Sequence, residues 1–450
     1  MRVRRIQRLV AVIVSVISLG NWNVLAQQDQ VESPQVTASK NPVAVAATTR
    51  NSSTEAVSLK GLIEEALARN PEIKSMERNY DMFRARIPQA KALSDPMLEV
   101  GYLGNIYPIP PFDIQKMDPS SARMVSVSQE IPFPGKRALK GRMANAEAES
   151  EWWNYEQTRL NVVAEVKDAY FDLYYFDKAI ETVNKNKDLL EKFAKIAEAR
   201  YSVGQGIQQD VLKAQVEISK LIEQTTILEQ RRQLAAGRIN SLLYRDTDSP
   251  LGKPEEIKPQ PLAETLGELN ELALANFPML KAQKRKVDRQ QYAIELAEKE
   301  KYPDFTVKLN YQNRPGMPDM YGVSVGVNIP IFIGQKQQPA IAEAAASKAM
   351  EQKRLENNVT LLFLKVKDKY LAATTAQKLV DLYGTTIIPQ SSLSLESAIE
   401  GYEVGKVDFL TLLDNVVTLL NYELSYYEQL SNLEKAVAAM EPLVGVRLRP

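Results

Sequence analysis

The stretch Tyr321 to Phe332 reads YGVSVGVNIPIF, with Tyr321, Val323, Val325, Val327, Ile329 and Ile331 apolar and Gly322, Ser324, Gly326, Asn328 and Pro330 between them. Successive side chains of a strand point to opposite faces, so a strict period of two describes a strand with one greasy face and one polar or small face. Most of the chain repeats its apolar residues every three or four positions instead, which is a helical period. Strands are expected at 97–107, 123–131, 304–313 and 321–331. In the third, Phe305, Val307, Leu309 and Tyr311 alternate with Thr306, Lys308, Asn310 and Gln312. Lys308 is incompatible with a protein core unless it is paired.

These lengths match the roughly 9 to 11 residues of a tilted transmembrane strand. Phe305, Val307, Leu309, Tyr311, Val323, Val325, Val327 and Ile329 are accordingly read as facing lipid, with the alternate residues facing a water-filled lumen. Phe305 and Phe332 at one level, and Tyr311 and Tyr321 at the other, fit interfacial girdles. Gln129 is the exception, since it shares a face with Val125, Val127 and Ile131. A half-buried soluble sheet would alternate in the same way. The two readings part at the sheet edges, because lipid does not tolerate unpaired backbone groups. Four strands cannot close alone, whereas three copies pool twelve, an even number able to enclose a channel. The membrane reading therefore requires a homotrimer.

Lys plus Arg and Asp plus Glu both count 56, so no basic field recommends nucleic acid as a partner. Cys and His are absent. That removes thiol nucleophiles, disulfides, imidazole bases and the usual Zn and Cu ligands, leaving only carboxylates as common catalytic groups. No enzyme activity, cofactor or metal site is expected. The 12 Met residues are scattered, and Met317 and Met320 read as loop or packing residues, because Cu(I) sites need clustered sulfur.

MRVRRIQR, the apolar run Leu9 to Leu19 and Val24-Leu25-Ala26 describe a signal peptide over residues 1–26. The run is too short for a bilayer, which needs about 20 apolar residues. No Cys follows, so no lipid anchor is expected. Residues 27–57, rich in Gln, Ser, Thr, Ala and Val, read as a flexible segment.

The mature sequence is written twice. LIEEALARNPEIK from Leu62 matches LNELALANFPMLK from Leu269 at an offset of 207, which also pairs Pro96 with Pro303. SVSQEIPFPGK from Ser126 resembles SVGVNIPIFIGQK from Ser324, and Val166-Lys167-Asp168 recurs as Val366-Lys367-Asp368. Two repeats follow, 58–250 and 262–446, each a helix, two strands and a long helix pair, joined by a Pro-rich linker at 251–261. Ala169, Phe176, Val183, Leu190 and Ala197 are spaced by seven, and Val166, Leu173, Ile180, Ala194 and Tyr201 complete a seam broken only at Lys187. Ala214, Leu221, Leu228, Ala235 and Leu242 repeat the pattern. Sustained heptads mean helices that supercoil, and a helix from Lys136 to Tyr201 would be on the order of 100 Å long.

DPMLEVGYLGN from Asp95, VSVSQEIPFPGKRALKGR from Val125, RYSVGQGIQQDVLKAQVE from Arg200 and GYEVGKVDFLTLLD from Gly401 resemble the TolC family of outer membrane efflux ducts, over nearly the whole mature chain. The first two are similar to its heavy-metal branch, the CusC and CzcC type factors. The resemblance implies a mostly α chain whose four strands join a 12-stranded outer membrane barrel, carried on a long helical barrel in the periplasm. It implies a homotrimer that docks on a periplasmic adaptor coupled to an inner-membrane RND-type pump, with heavy-metal cations as first substrates and drugs or other small toxic compounds next.

It assigns Arg200, Tyr201, Val203, Gly204, Tyr402, Val404 and Gly405 to the docking tips, where by themselves the glycines need only be caps. It assigns Asp414, with Thr411 where TolC has a second acidic residue, to a periplasmic aperture ringed by carboxylates. The competing class is a soluble periplasmic coiled-coil scaffold or adaptor. A carboxylate hydrolase would need a paired acid and base in a cleft, which helical seams do not offer.

Overall fold

The computed structural model describes residues 57–103, 121–314 and 316–449. The expected signal peptide, residues 27–56 and the end of the first strand at 104–107 lie outside them. One helix is expected ahead of the first strands, and the structure has two, α1 (Leu59–Arg69) and α2 (Pro71–Lys91). Asn70 divides them by accepting from the N–H groups of Glu72 at 2.9 Å and Ile73 at 3.2 Å. Pro71 takes the first helical position, where a missing N–H costs nothing. The same break recurs at Pro278, between α5 (Leu266–Asn276) and α6 (Pro278–Lys299).

Strands β1 (Met97–Leu103) and β2 (Ala122–Ile131) follow α2, and β3 (Asp304–Asn313) and β4 (Met320–Asn328) follow α6. They form one antiparallel sheet in the order β1-β2-β3-β4. The fourth strand stops three residues short of its expected end. Asn328 faces Asp304, the first residue of β3, and Pro330 has no N–H to donate.

Out of the sheet come the long helices, α3 (Lys136–Ser202), α4 (Gln208–Leu242), α7 (Gln337–Leu382), α8 (Ile388–Glu403) and α9 (Phe409–Val444). Helix α3 runs unbroken for 67 residues. The heptad residues Val166, Ala169, Leu173, Val183, Leu190 and Ala197 are buried, as are Ala214, Leu221, Leu228 and Ala235 on α4. Phe176, Ile180, Ala194 and Leu242 are half-buried, and Tyr201 leaves the seam for solvent. Alanine at so many seam positions lets the backbones approach closely. On the side of the turns, α3 packs between α4 and α9, and α9 between α3 and the α7–α8 stretch, so α4 on one side and α7 with α8 on the other are the outer helices of this layer.

The helical stretch Gln337 to Glu403 corresponds to α3, at an offset of 200 at Val166 and Val366 and of 201 at Tyr201 and Tyr402, and a π turn at Tyr383–Ile387 interrupts it between these two points. Pro389 explains the interruption. Its ring excludes the normal bond to the Thr385 carbonyl, and a wider turn absorbs the misfit. Thr385 Oγ1 also donates to the Asp381 carbonyl, at 2.7 Å.

Midway along α3, α1 packs on α3 and α4 through Leu62, Ile63 and Ala66, while α5 packs on α7 and α9 through Leu269 and Ala273. Lys167 and Glu441, both almost wholly buried, pair at 2.8 Å. Glu441 also accepts from the N–H groups of Leu448 at 3.1 Å and Arg449 at 3.2 Å. Arg449 returns to Glu434 and to the Gln260 carbonyl. Burial raises the Glu434 carboxyl above its usual range, opposed by Arg449. Tyr170, pushed up to about 12 by burial, receives the Glu255 N–H at 2.9 Å and donates to the Val57 carbonyl at 3.1 Å. Val57, expected in the flexible segment, is thus bound, and it bridges to Pro254 of the linker.

Candidate functional site

The register of the sheet sorts its side chains into two faces. Leu98, Val127, Leu309 and Val323 stand in one row, Val100, Val125, Tyr311 and Tyr321 in the next, and Ile131, Phe305 and Val327 in a third. Among the described residues, none covers this face. Val100 and Val323 are each 74% exposed, which a half-buried soluble sheet would not allow. Tyr311 and Tyr321 meet with ring centroids 5.3 Å apart. Gln129 interrupts the face near its edge, where its amide donates to the Ser94 carbonyl at 2.8 Å and the Glu130 carbonyl at 3.0 Å.

The opposite face carries Glu99, Ser126, Asn310 and Gly322 in one row, Met97, Ser128, Lys308 and Ser324 in another, and Gly101, Met124, Gln312 and Met320 in a third. Lys308 finds the partner its position demands in Glu99, at 2.7 Å, and Ser126 Oγ donates to the same carboxylate at 3.1 Å. One face thus suits hydrocarbon and the other water.

The strand-to-helix corner Pro132-Phe133-Pro134-Gly135 holds the two halves together. Gly135 adopts φ 96°, a left-handed conformation that glycine takes without a Cβ penalty. Phe133 stacks on Tyr302 at 4.6 Å, and its N–H donates to Asp304 Oδ1 at 2.6 Å. Lys136 is buried with its Nζ 2.9 Å from both Asp304 oxygens.

At the far ends of the long helices, two turns share one construction. The Gly204 N–H donates to the Tyr201 carbonyl at 3.0 Å and the Gln205 N–H to the Arg200 carbonyl at 2.9 Å. In the second turn the Gly405 N–H donates to Tyr402 at 3.1 Å and the Lys406 N–H to Gly401 at 2.8 Å. Gly204 and Gly405 have φ of 78° and 74°, as this helix ending requires. Tyr201, Val203, Gly204, Val404 and Gly405 are exposed. Tyr402 is only 6% exposed, packed edge-on against Phe409 and covered by Arg200, so it supports the tip from within.

Thr411 and Asp414 lie on the exposed side of α9, one turn apart. Thr411 is engaged, because its N–H donates to Asp408 Oδ1 at 2.6 Å. Asp408 is the N-cap of α9, and the Thr411 N–H and hydroxyl hold its carboxyl below the usual range. Asp210, on the neighbouring hairpin, is raised by burial and by the Asp408 charge. Asn415 ties α9 to α8, accepting from Ser394 Oγ at 2.8 Å and donating to the Thr411 carbonyl at 2.8 Å. Sequence reading missed the clasp of Arg200 on Tyr402 and the Asp210–Asp408 approach. Their only signal was position beside the two glycine turns.

Among the described residues no helix is long and apolar enough to cross a membrane, and no group of three or more His, Cys, Asp or Glu is arranged to hold a metal ion. The family model for outer membrane efflux proteins matches residues 62–244 and 269–446. The chain belongs to the outer membrane efflux protein family. Among curated relatives, this efflux protein is 22% identical over 397 residues to the cobalt-zinc-cadmium resistance protein CzcC of Cupriavidus metallidurans, with 86% of this chain and 90% of that protein covered. Among solved structures, its fold is similar to that of the outer-membrane channel OprN, at TM-score 0.73 and 18% identity, with 87% and 91% covered. It is similar to CusC, at 0.73 and 14%, with 86% and 92% covered, and to VceC of Vibrio cholerae, at 0.73 and 17%, with 87% and 97% covered. The family consists of outer membrane channels, not enzymes.

Proposed function

We propose that three copies of this efflux protein close a 12-stranded barrel in the outer membrane and a helical barrel in the periplasm, forming the exit duct of a tripartite efflux system. The observation that carries this reading is the sheet with one bare apolar face, one hydrated face and two open edges, β1 and β4. Lipid would cover the first face and the lumen would fill the second. The helical layer points the same way. Its outer helices carry exposed apolar residues, Leu212, Val216 and Leu234 on α4 and Leu364, Leu371 and Leu382 on α7, which neighbouring copies would bury. A soluble scaffold would leave both sets in water.

The order helix, two strands, long helices occurs twice, and the family model matches two segments, which supports two structural repeats joined at 251–261. Residues 1–26 direct export, and the barrel anchors the protein in the outer membrane. The exposed tip residues Tyr201, Val203, Gly204, Val404 and Gly405, held in place by Arg200 and Tyr402, dock on a periplasmic adaptor that couples the duct to an inner-membrane RND-type pump. Three symmetry copies of Asp414 ring the periplasmic aperture and favour cations electrostatically. Heavy-metal cations are the proposed substrate, on the likeness to a cobalt-zinc-cadmium resistance protein.

Two measurements test this. Purified protein in planar bilayers should conduct, and a deletion strain should become sensitive to divalent cobalt, zinc or cadmium. A strain sensitive only to organic toxicants would overturn the metal assignment, and protein that never conducts would overturn the duct.

A further inference from the structure

We infer that β4 of one copy pairs with β1 of the next in a single register, Leu98 facing Ile329, Val100 facing Val327 and Tyr102 facing Val325. The inference rests on the trimeric reading above and adds the residues that join the subunits.

The chain shows how one half seats on the other. In the β2–β3 ladder Val127 faces Leu309, Gln129 faces Val307 and Ile131 faces Phe305. One step beyond the ladder, Pro132 comes level with Asp304 and closes the pairing, because neither Pro132 nor the adjoining Pro303 can donate. The segment SVSQEIP, 126–132, corresponds to SVGVNIP, 324–330, and Pro96 stands to β1 as Pro303 stands to β3. Carrying Ile131–Phe305 across these correspondences gives Ile329–Leu98. Pro330 then comes level with Met97 and Pro96 with Ile331, so both prolines again lie just outside the ladder.

Alternation supports the same register. It places Leu98, Val100 and Tyr102 beside Ile329, Val327 and Val325 on the bare face, and Glu99 and Gly101 beside Asn328 and Gly326 on the hydrated one. A slip of one residue would reverse every side chain. A slip of two residues that brings Val100 level with Ile329 would draw Pro330 into the ladder opposite Glu99, where it cannot donate.

The corner that follows β4 is more exposed than the first. In the first corner Phe133 and Lys136 rest on Tyr302 and Asp304. In the second, Ile331 and Phe332 are 73% and 63% exposed. Met97, itself exposed, stands where Asp304 stands in the other half. Gln337, at the helix position of Lys136, is buried with its Oε1 unpartnered. The joint within a subunit is therefore ion-paired, and the joint between subunits is apolar, with Ile331 and Phe332 lying over the next copy's Met97.

The chain contains no cysteine, so an introduced pair reports without background. Full-length Val100→Cys/Val327→Cys and Leu98→Cys/Ile329→Cys proteins, oxidised in outer membranes and run without reductant, should give ladders of covalent dimer and trimer. The slipped pair Val100→Cys/Ile329→Cys should give at least about tenfold less. A stronger ladder from the slipped pair, or none from either in-register pair in protein that sizes as a trimer, overturns the register. Unmodified protein that sizes as a monomer in detergent overturns the trimer on which the register depends.

Discussion

The guanidinium of Arg200, at the end of α3, lies 4.4 Å from the ring centroid of Tyr402 at the end of α8. Its Nη2 also donates to the Glu403 carbonyl at 2.9 Å, so one side chain closes the two hairpin tips on each other. A cation on an aromatic ring contributes about 0.5–2 kcal/mol, more where the ring is shielded from water, and a hydrogen bond about 1 kcal/mol more. Arg200→Ala should therefore raise local opening of the tips by roughly tenfold, about 1.4 kcal/mol. Hydrogen exchange of the amides around Tyr201 and Tyr402 reads this directly, and Arg200→Lys should restore only part of the protection.

Acid should tighten the tips before it loosens them. Asp210 has a raised pKa in the folded protein, from burial and the Asp408 charge, so its protonation favours the folded tip. That stabilisation is absent well above the folded value and appears as pH falls through it. Asp408 has a depressed pKa, so its cap contributes fully above the unfolded value and is lost as pH falls through the folded one. Tip amides should be most protected between Asp210's raised value and Asp408's lowered one. Asp210→Asn should show that protection already at neutral pH, and Asp408→Ala should lose protection there.

The buried pair of Lys167 and Glu441 should be costly to break and cheap to replace. Glu441→Ala leaves an unpaired buried ammonium, a loss of about 3–5 kcal/mol. Lys167→Met with Glu441→Leu should recover most of it. Recovery stays incomplete because the Leu448 and Arg449 N–H groups lose their acceptor. Unfolding midpoints of the three variants in one detergent check the order.

Adjacent residues of β4 should respond in opposite ways to the same charge. Val323→Arg places a guanidinium on the bare apolar face, where the cost near a bilayer midplane is about 2–4 kcal/mol. Ser324→Arg places it on the opposite face, where repulsion from the facing Lys308 costs only about 0.2–1 kcal/mol, and should assemble in clearly higher yield. The yield of folded protein in outer membranes distinguishes them, and equal yields would contradict the assignment of faces.

If the proposed trimer places Asp414 at the aperture, Asp414→Ala removes three carboxylates together and should raise single-channel conductance and weaken the preference for cations. Unchanged conductance and selectivity in planar bilayers would remove Asp414 from the gate.

Much of the architecture was legible because its signals are periodic. The period of two in YGVSVGVNIPIF and the heptads through Ala169 and Val183 each follow from one local rule and survive in the structure as strand and helix. Features that depend on contact between distant segments were not legible. Nothing near Arg200 in sequence announces Tyr402, and Tyr402 reads as a tip residue until Phe409 and Arg200 bury it. Gln129 looked misplaced because its partner, the Ser94 carbonyl, comes from the segment leading into the neighbouring strand, 35 residues away in sequence. The break at Pro71 was visible as a proline, yet the Asn70 cap that makes it a joint between two helices needs the fold to be seen.

The mass of the membrane-extracted protein under native conditions tests the central claim most directly. Three identical chains, released only by detergent, are predicted. A single chain that leaves the envelope in salt without detergent would contradict the barrel and the duct together.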